Sequence, residues 1–281
     1  MNRRDFGKLA AGAALSSAVS SAAKIDSKIA GVQIGAQTYS FRDRPFDAMV
    51  DAMKEVGLGE AELWDGHVLP KDAAAAKQFR KDPPVAQIHE LRTKLDNAGI
   101  ELYAFTFGFT KGFEEDEIEG GFKIAKALDV KYITSSSNVS MAKRVDAMAQ
   151  KYRITVGFHN HSNMKADEFA RPADWDHALS GASKYLAINL DIGHFTAAGF
   201  DPVSFLEQHH ARIVTLHLKD RKANQGDNVP WGQGDTKIKE VLQVLKTRHY
   251  PIPANIEYEY NGADTVAEVK KCLAYCKAAL A

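Results

Sequence analysis

Two kinds of segment alternate along the chain from residue 30 to its end. The first kind is a short run of apolar or β-branched residues, which predicts a buried strand. The second kind is a longer stretch in which apolar residues recur three and four positions apart on a charged background, the pattern of an amphipathic helix. Glycines directly after such stretches, Gly57 and Gly99 among them, indicate helix C-termini.

Eight strands and eight helices are predicted in this way. The predicted strands are 32–37, 60–64, 101–105, 131–134, 155–158, 187–190, 213–216 and 255–258. The predicted helices are 46–56, 86–97, 118–128, 141–151, 172–180, 202–211, 238–246 and 265–279. Eight such repeats in roughly 250 residues predict an α/β fold, a single (β/α)8 TIM barrel. An open doubly wound sheet is the alternative, although no Gly-x-Gly-x-x-Gly fingerprint follows the first strand.

Composition narrows the range of ligands. The 281 residues are 45% hydrophobic, and 36 Lys and Arg balance 36 Asp and Glu. That hydrophobic fraction supports a packed core and excludes a disordered chain. The balanced charge argues against nucleic acid or a membrane surface as partner, because both need a basic face. We therefore expect a small-molecule ligand.

The N-terminal segment differs from the rest of the chain. Arg3 and Arg4 precede an uncharged segment rich in alanine and serine, which runs from residue 9 to 23. This order is typical of a secretory signal peptide, and the paired arginines resemble the twin-arginine export signal. We expect a signal peptide at 1–23, the barrel at 24–281, and a periplasmic or secreted protein without a membrane anchor. A frayed basic N-terminus is the alternative.

Four consecutive predicted strands end in an imidazole or a carboxylate. These side chains are His159, Asp191, His217 and Glu257, and each follows an apolar residue. Because side chains alternate along a barrel strand, the four are expected to face the axis and their apolar neighbours the helices. The C-terminal ends of the strands are also where TIM barrels carry their active sites.

Nitrogen and oxygen donors that converge without thiolates are typical of a divalent metal site with positions left for substrate. A single histidine at a strand end is more often a surface or core residue. Here, however, five of the ten histidines lie at or just after predicted strand ends, which favours a site: His67, His159, His161, His194 and His217. Glu259 shares a strand face with Glu257, so either glutamate is a candidate ligand.

The motifs around these residues resemble those of a known family. They are Tyr39-Ser40-Phe41-Arg42, Glu62-Leu63-Trp64, HNH at 159–161, LDIGH at 190–194, HLKD at 217–220 and WGQGD at 231–235. Over nearly all of the chain after residue 30 they resemble the xylose isomerase-like, sugar phosphate isomerase/epimerase TIM-barrel family. The resemblance implies one divalent ion (Mn, Co, Mg or Zn) held by Asp191, His217 and Glu257. His159 takes the position at which the family carries a glutamate.

The site suits proton abstraction beside the carbonyl of a sugar or sugar-derived ketone, with the ion stabilising the enediolate. Glu257 is the expected base, and His159 or His161 is expected on the opposite side as acid or second base. Lys219 is expected to neutralise an oxyanion; a salt bridge to Asp220 or to a neighbouring strand is the competing interpretation. The expected substrate contacts are Arg42, Glu62, Trp64, His67, His194 and Trp231. The loop 228–235 is expected to cover the mouth of the barrel.

Three other functions stay open at this point. The same site acting on a 3-keto-glycoside would expel the aglycone by β-elimination and would be a lyase. An endonuclease of this barrel type would present a basic DNA groove, which the balanced charge opposes. A catalytically inactive sugar-binding protein would keep the aromatic residues without needing the metal. The sequence decides neither whether the sugar is phosphorylated, keto-oxidised or glycosidic nor whether the protein is a homo-oligomer.

Overall fold

The computed structural model describes residues 23–281, and the predicted signal peptide lies outside the described residues except for Ala23. Eight parallel strands follow one another around a closed barrel in chain order. The barrel closes because its first strand pairs with both the second and the last. This architecture confirms the predicted (β/α)8 fold.

The strand boundaries agree with the predictions to within two residues. A short strand β1 (Lys28–Ile29) pairs antiparallel with the first barrel strand. The barrel strands are β2 (Val32–Gln37), β3 (Glu60–Trp64), β4 (Glu101–Thr106), β5 (Tyr132–Ser136), β6 (Thr155–His159), β7 (Leu186–Asp191), β8 (Ile213–Leu218) and β9 (Ala254–Ile256).

The described residues form ten α-helices, two more than predicted. They are α1 (Phe46–Val56), α2 (Ala73–Lys81), α3 (Val85–Asn97), α4 (Glu115–Ala127), α5 (Ala142–Tyr152), α6 (Pro172–Leu179), α7 (Ile192–Ala197), α8 (Pro202–His209), α9 (Ile238–Arg248) and α10 (Thr265–Leu280). The pattern missed α2 because it buries only Ala76, and α7 because it begins inside the LDIGH motif. Gly57 and Gly99 have positive φ after their helices, as predicted. Within this described range no helix has the length and apolarity that crossing a membrane requires.

The strand β6 illustrates how the pleat separates the two faces of the barrel wall. The ring of Phe158 stacks on Phe169 at 4.8 Å, and the indole of Trp175 donates to the Phe158 carbonyl at 3.1 Å. Phe158 therefore packs outward against the helical layer. Since successive side chains point to opposite faces, His159 points into the barrel. The ends of the neighbouring strands present their polar residues in the same way.

The barrel interior contains a connected set of buried polar side chains. Glu62 has no exposed surface. Its Oε1 accepts hydrogen bonds from Thr106 at 2.9 Å and Thr134 at 2.6 Å, and its Oε2 accepts one from Asn255 at 3.1 Å. A buried carboxylate needs such donors, because an unpaired one would lose its hydration without compensation. The interior is thus a hydrogen-bonded support for the strand ends above it.

Glu60 lies two residues before Glu62 on the same face of β3. It is also buried, but in a different protonation state. Burial, with the Glu62 charge adding to it, raises the pKa of Glu60 well above its usual value. Its Oε1 and Asn255 Oδ1 both border the space beside Gly35, and neither has a hydrogen-bond partner among the described residues. Two such oxygens attract each other only if one carries a proton, which the carboxyl group of Glu60 can do. The protonated form of Glu60 is therefore the one that the fold stabilises.

Glu60→Gln is expected to stabilise the protein increasingly as pH rises above about 4.5. The pKa of Glu60 is higher in the folded than in the unfolded state, so the folded state retains a proton that the unfolded state releases, and wild-type stability falls with pH. Above pH 4.5, the free energy of unfolding of the variant should increase relative to that of wild type by up to about 1.4 kcal/mol per pH unit. Urea unfolding between pH 4.5 and 8 measures the difference, with the exposed Glu101→Gln as control. A pH-independent difference would contradict a protonated Glu60.

Candidate functional site

Four side chains meet at the C-terminal end of the barrel. They are His159, Asp191, His217 and Glu257, from the ends of β6, β7, β8 and β9, and all four are buried. One donor atom from each lies within 4.8 Å of the others. Small side-chain adjustments convert such a spacing into metal–ligand distances of about 2 Å. The barrel thus brings together the four residues that the sequence nominated as ligands.

Asp191 presents one oxygen to this group. Its Oδ1 caps α7 by accepting the His194 N–H at 2.6 Å. Its Oδ2 has no well-aligned hydrogen-bond donor in the described part of the chain, although Lys219 Nζ is 3.0 Å away. Burial raises the pKa of Asp191 to about 6, against the lowering effect of Lys219. A buried carboxylate with one oxygen within 4.8 Å of three other candidate ligand atoms fits a cation site.

His217 lies between two carboxylates. Its Nδ1 donates to Glu257 Oε2 at 3.1 Å and its Nε2 to Glu62 Oε1 at 2.7 Å. Burial by itself lowers the pKa of His217, but the charges of Glu62 and Glu257 raise it well above its usual value. A bound metal would replace the Nδ1 proton and leave Nε2–H on Glu62. This carboxylate–histidine pair is the arrangement that fixes the tautomer of a metal-binding histidine.

Glu62, one of the expected sugar contacts, is buried beneath the candidate metal centre. Glu62 lies in the middle of β3, two residues before its C-terminal end, and so projects into the barrel interior and not at the mouth. Its hydrogen-bond partners are all protein groups, with His217 among them. Its geometry therefore supports a role in orienting His217, and a sugar contact by Glu62 stays a prediction.

Lys219 is the cation of the site. Its buried Nζ lies 2.6 Å from Glu259, 2.9 Å from Glu257 and 3.0 Å from Asp191. Burial lowers the pKa of Lys219, but these three carboxylates outweigh burial and raise it. The carboxylates still exceed the ammonium charge, which suits a further cation. Glu259 is half-buried, pairs with Lys219 and lies outside the four-residue group, so the geometry favours Glu257 as the ligand.

Asp220 binds the mouth loop and not Lys219. Its Oδ2 accepts the backbone N–H of Gly232 at 2.8 Å and of Gly234 at 2.9 Å, and its Oδ1 accepts that of Thr236 at 3.3 Å. A Cβ on Gly234 would collide with this carboxylate, which explains the glycine. The loop 228–235 is therefore anchored at its base. Its expected role as a cover over bound substrate stays a prediction.

His161 and His194 lie beside His159, with ring centroids 4.9 Å apart for His159–His161 and 5.2 Å for His161–His194. Burial, and Lys219 nearby, lower the pKa of both His161 and His194, so both are neutral at pH 7. His194 faces Lys219 with Nε2 at 3.0 Å and Arg221 with Nδ1 at 2.6 Å. These two cations disfavour a second dication among the three imidazoles.

Three expected substrate contacts lie apart from the four-residue group, at the ends of β2 and β3. Arg42 donates to the Tyr258 carbonyl at 2.8 Å. Both ring nitrogens of His67 are within 3.2 Å of protein oxygens, one of them Thr38 Oγ1. Trp64 packs edge-on against His67 at 5.3 Å. These contacts place the three residues in a packed patch, and a sugar contact by any of them stays a prediction.

Comparison with known protein families gives the same fold as the structure. A family model described as a xylose isomerase-like TIM barrel matches residues 50–277. The chain belongs to the xylose isomerase-like TIM barrel family. The fold and its neighbours of the sugar isomerase and epimerase class thus agree with the resemblance in the sequence motifs.

Relatives of this barrel include epimerases. L-ribulose-5-phosphate 3-epimerase UlaE of Escherichia coli (strain ATCC 8739) is 27% identical over 135 residues, 48% of this chain and 47% of the relative. The match thus spans about half the length of that relative. The solved structure of IolI protein with a zinc atom has a TM-score of 0.65 at 14% identity and covers 87% of this chain and 97% of its own. That of 3-keto-D-glucoside 4-epimerase YcjR from E. coli has a TM-score of 0.66 at 14% identity and covers 88% and 99%.

Two residues near the site of this xylose isomerase-like barrel were not predicted from the sequence. Asn160 accepts the Asp191 N–H at 2.9 Å and donates to the Asp191 carbonyl at 3.0 Å, which fixes the backbone of a candidate ligand. Arg221 contacts His194 and Ser162. The signal for Asn160 was its position between the two histidines of the HNH motif. Arg221 follows HLKD directly, but no spacing rule connects it to a histidine 27 residues earlier.

Glu62→Gln is expected to weaken metal binding by about 10- to 100-fold, as loss of a carboxylate behind a ligating histidine usually does. The amide keeps the shape of Glu62 but cannot stabilise the charge of a metal-bound His217. Competition with a chromophoric chelator measures the dissociation constant without any assay of turnover. The matched control is Glu117→Gln, which removes a buried carboxylate paired with Arg80 outside the barrel. An unchanged metal affinity in Glu62→Gln would exclude the orienting role.

Proposed function

We propose that the protein is a divalent-metal-dependent isomerase or epimerase that acts on a sugar or sugar-derived ketone through an enediolate. The observation that carries the proposal is the convergence of four buried side chains that can each donate to a metal ion, beside the Lys219 ammonium. The names of two relatives agree with this chemistry. A ribulose epimerised at carbon 3 and a 3-keto-glucoside epimerised at carbon 4 both react next to a ketone.

His159, Asp191, His217 and Glu257 would hold the ion, which supplies a positive charge for the oxygen of the enolised ketone. Glu257 is the proposed base. Burial raises the pKa of Glu257, but Lys219 and His217 lower it well below its usual value, so the carboxylate is ionised at neutral pH, as a base must be before it takes a proton. His161 is neutral at that pH and offers one N–H to a substrate oxygen. Lys219 balances charge around Glu257.

Proton exchange tests this proposal directly. The protein is loaded in turn with Mn, Co, Mg and Zn and incubated in D2O with free ketoses and with 3-keto-glycosides. Deuterium entering the carbon beside the ketone, together with conversion to the isomer or epimer, supports the proposal. If the metal-loaded protein exchanges no such proton in any of these substrates, the proposal is wrong and the sugar-binding alternative is favoured.

A second candidate function is cleavage of 3-keto-glycosides by β-elimination. The observation that favours it is a cavity beside Glu259, next to the candidate metal centre, with room for a leaving group. The same incubations distinguish the two functions. Release of the aglycone without interconversion of ketoses identifies a lyase, whereas interconversion without release identifies an isomerase or epimerase.

We also propose that the protein is exported by the twin-arginine route, on the basis of Arg3 and Arg4 before the uncharged segment. Fractionation of cells that express wild type or the Arg3→Lys, Arg4→Lys double variant tests this. The double variant should stay in the cytoplasm. An equal periplasmic or secreted amount of both proteins would exclude the route.

A further inference from the structure

Two cavities of about 370 Å³ each adjoin the barrel mouth next to the loop 228–235. They are adjacent, because they share Pro230, Tyr260 and Asn261 as walls. We call the pair the side groove. Its inner end is at Glu259, and its outer end lies between Trp231 and Tyr275. The combined space is in the range of small-molecule sites.

The inner end of the side groove lies one side chain away from the candidate metal centre. Glu259 lines the groove and lies 2.6 Å from Lys219 Nζ. The same ammonium is 2.9 Å from Glu257 and 3.0 Å from Asp191. One charged side chain therefore separates the groove from two of the four proposed ligands. The two sites are therefore close enough for the two parts of one small ligand to occupy both.

The walls of the side groove combine aromatic and polar groups. The half-buried rings of Trp231 and Tyr275 meet edge to face, with centroids 5.9 Å apart. Exposed Asn261 and Gln233 add amide groups to the rim. At the inner end, the buried Oδ1 of Asn228 has no hydrogen-bond partner among the described residues. Aromatic faces suit the C–H face of a sugar ring, and amides suit its hydroxyls.

The side groove is also held in shape before any ligand binds. The loop that carries Trp231 is tied to Asp220 through the backbone N–H groups of Gly232 and Gly234. The Tyr260 hydroxyl donates to Glu268 on α10 at 2.6 Å, which fixes the shared wall. A preformed groove loses little conformational entropy when a ligand binds, so modest contacts yield measurable affinity.

We propose that the side groove is a second sugar subsite, which holds a hexose unit joined through a glycosidic bond to the sugar at the metal centre. This inference rests on the proposed function and names its substrate class, which is glycosides of at least two sugars. Trp231 and Tyr275 provide the stacking surface, and the exposed amides of Gln233 and Asn261 provide hydrogen-bonding groups for the hydroxyls. The subsite selects substrates by length, independently of which reaction follows.

Calorimetric titration of the full, Mn-loaded protein tests the subsite without requiring turnover. The probes are glucose and the disaccharides cellobiose, maltose and trehalose. We expect at least one disaccharide to bind tenfold or more tightly than glucose. Tyr275→Ala, which removes a wall, and Asn261→Trp, which fills the groove from an exposed position, should each reduce this preference at least tenfold. Tyr185→Ala, at the opposite end of the barrel, is the matched control and should keep the preference.

Two results would overturn the subsite. The first is an equal dissociation constant for glucose and all three disaccharides. The second is a pair of groove variants that bind like Tyr185→Ala. Tighter binding of 4-nitrophenyl glucoside than of every disaccharide would also contradict the proposal. It would indicate that the side groove holds an aromatic leaving group and not a second sugar. Disaccharide selectivity with no proton exchange in any ketone would instead refute the proposed function and leave the subsite standing.

Discussion

Asp191→Asn is expected to remove stoichiometric metal from the protein and to lower kcat/KM for the proton-transfer reaction by about a thousandfold. The replacement keeps an Oδ1 for the N-cap of α7 but removes the negative charge that Asp191 contributes beside His159, His217 and Glu257. Loss of a Lewis acid costs several kcal/mol of transition-state stabilisation, which corresponds to that factor. Metal content by mass spectrometry and kcat/KM on an accepted ketone measure the two effects.

The matched control for this experiment is Asp201→Asn. Asp201 caps α8 as Asp191 caps α7, by accepting a backbone N–H, but it is exposed and pairs with Lys237. It should keep the metal and the activity while losing a similar small amount of helix-cap stability. An Asp191→Asn protein that folds like the control and retains one equivalent of metal would place the metal centre elsewhere.

Lys219→Met is expected to destabilise the metal-free protein by about 3–5 kcal/mol, the usual cost of removing one partner from a buried ion pair. The replacement leaves three neighbouring carboxylates, Asp191, Glu257 and Glu259, without their cation. A bound divalent ion supplies part of the missing charge, so the loss should be smaller with Mn than with chelator. It should also shrink toward pH 5, because burial raises the pKa of Asp191 and the variant lacks the ammonium that lowers it, so Asp191 takes up a proton.

Urea unfolding at pH 7 and pH 5, each with chelator and with Mn, measures these differences. Lys237→Met is the control, because Lys237 also pairs with an aspartate but both side chains are half exposed. That pair should contribute at most about 1 kcal/mol and should not respond to metal. Equal losses in Lys219→Met with and without Mn would show that Lys219 and the metal do not share the same carboxylates.

The sequence alone determined the architecture and nominated the candidate ligands. Eight strand–helix repeats are a local signal, because burial on one face imposes a period of two on strands and of 3.6 on helices. The pleat then fixes which side chain at a strand end turns inward. The candidate ligands could therefore be predicted without a structure, and they are His159, Asp191, His217 and Glu257. The helix α2 was missed for the same reason, since a helix that buries only Ala76 leaves little periodicity to detect.

Only the tertiary structure decided how these residues are supported and what surrounds them. Glu62 touches His217 across 155 residues of sequence, and Asn255 touches Glu62 across 193, so no local pattern records either contact. The placement of Glu259 on Lys219, the anchoring of the mouth loop by Asp220, and the side groove also depend on which strand ends and loops become neighbours. Periodicity reports whether a side chain is buried. Its partners are set by the closure of the barrel, which brings distant segments within hydrogen-bond distance.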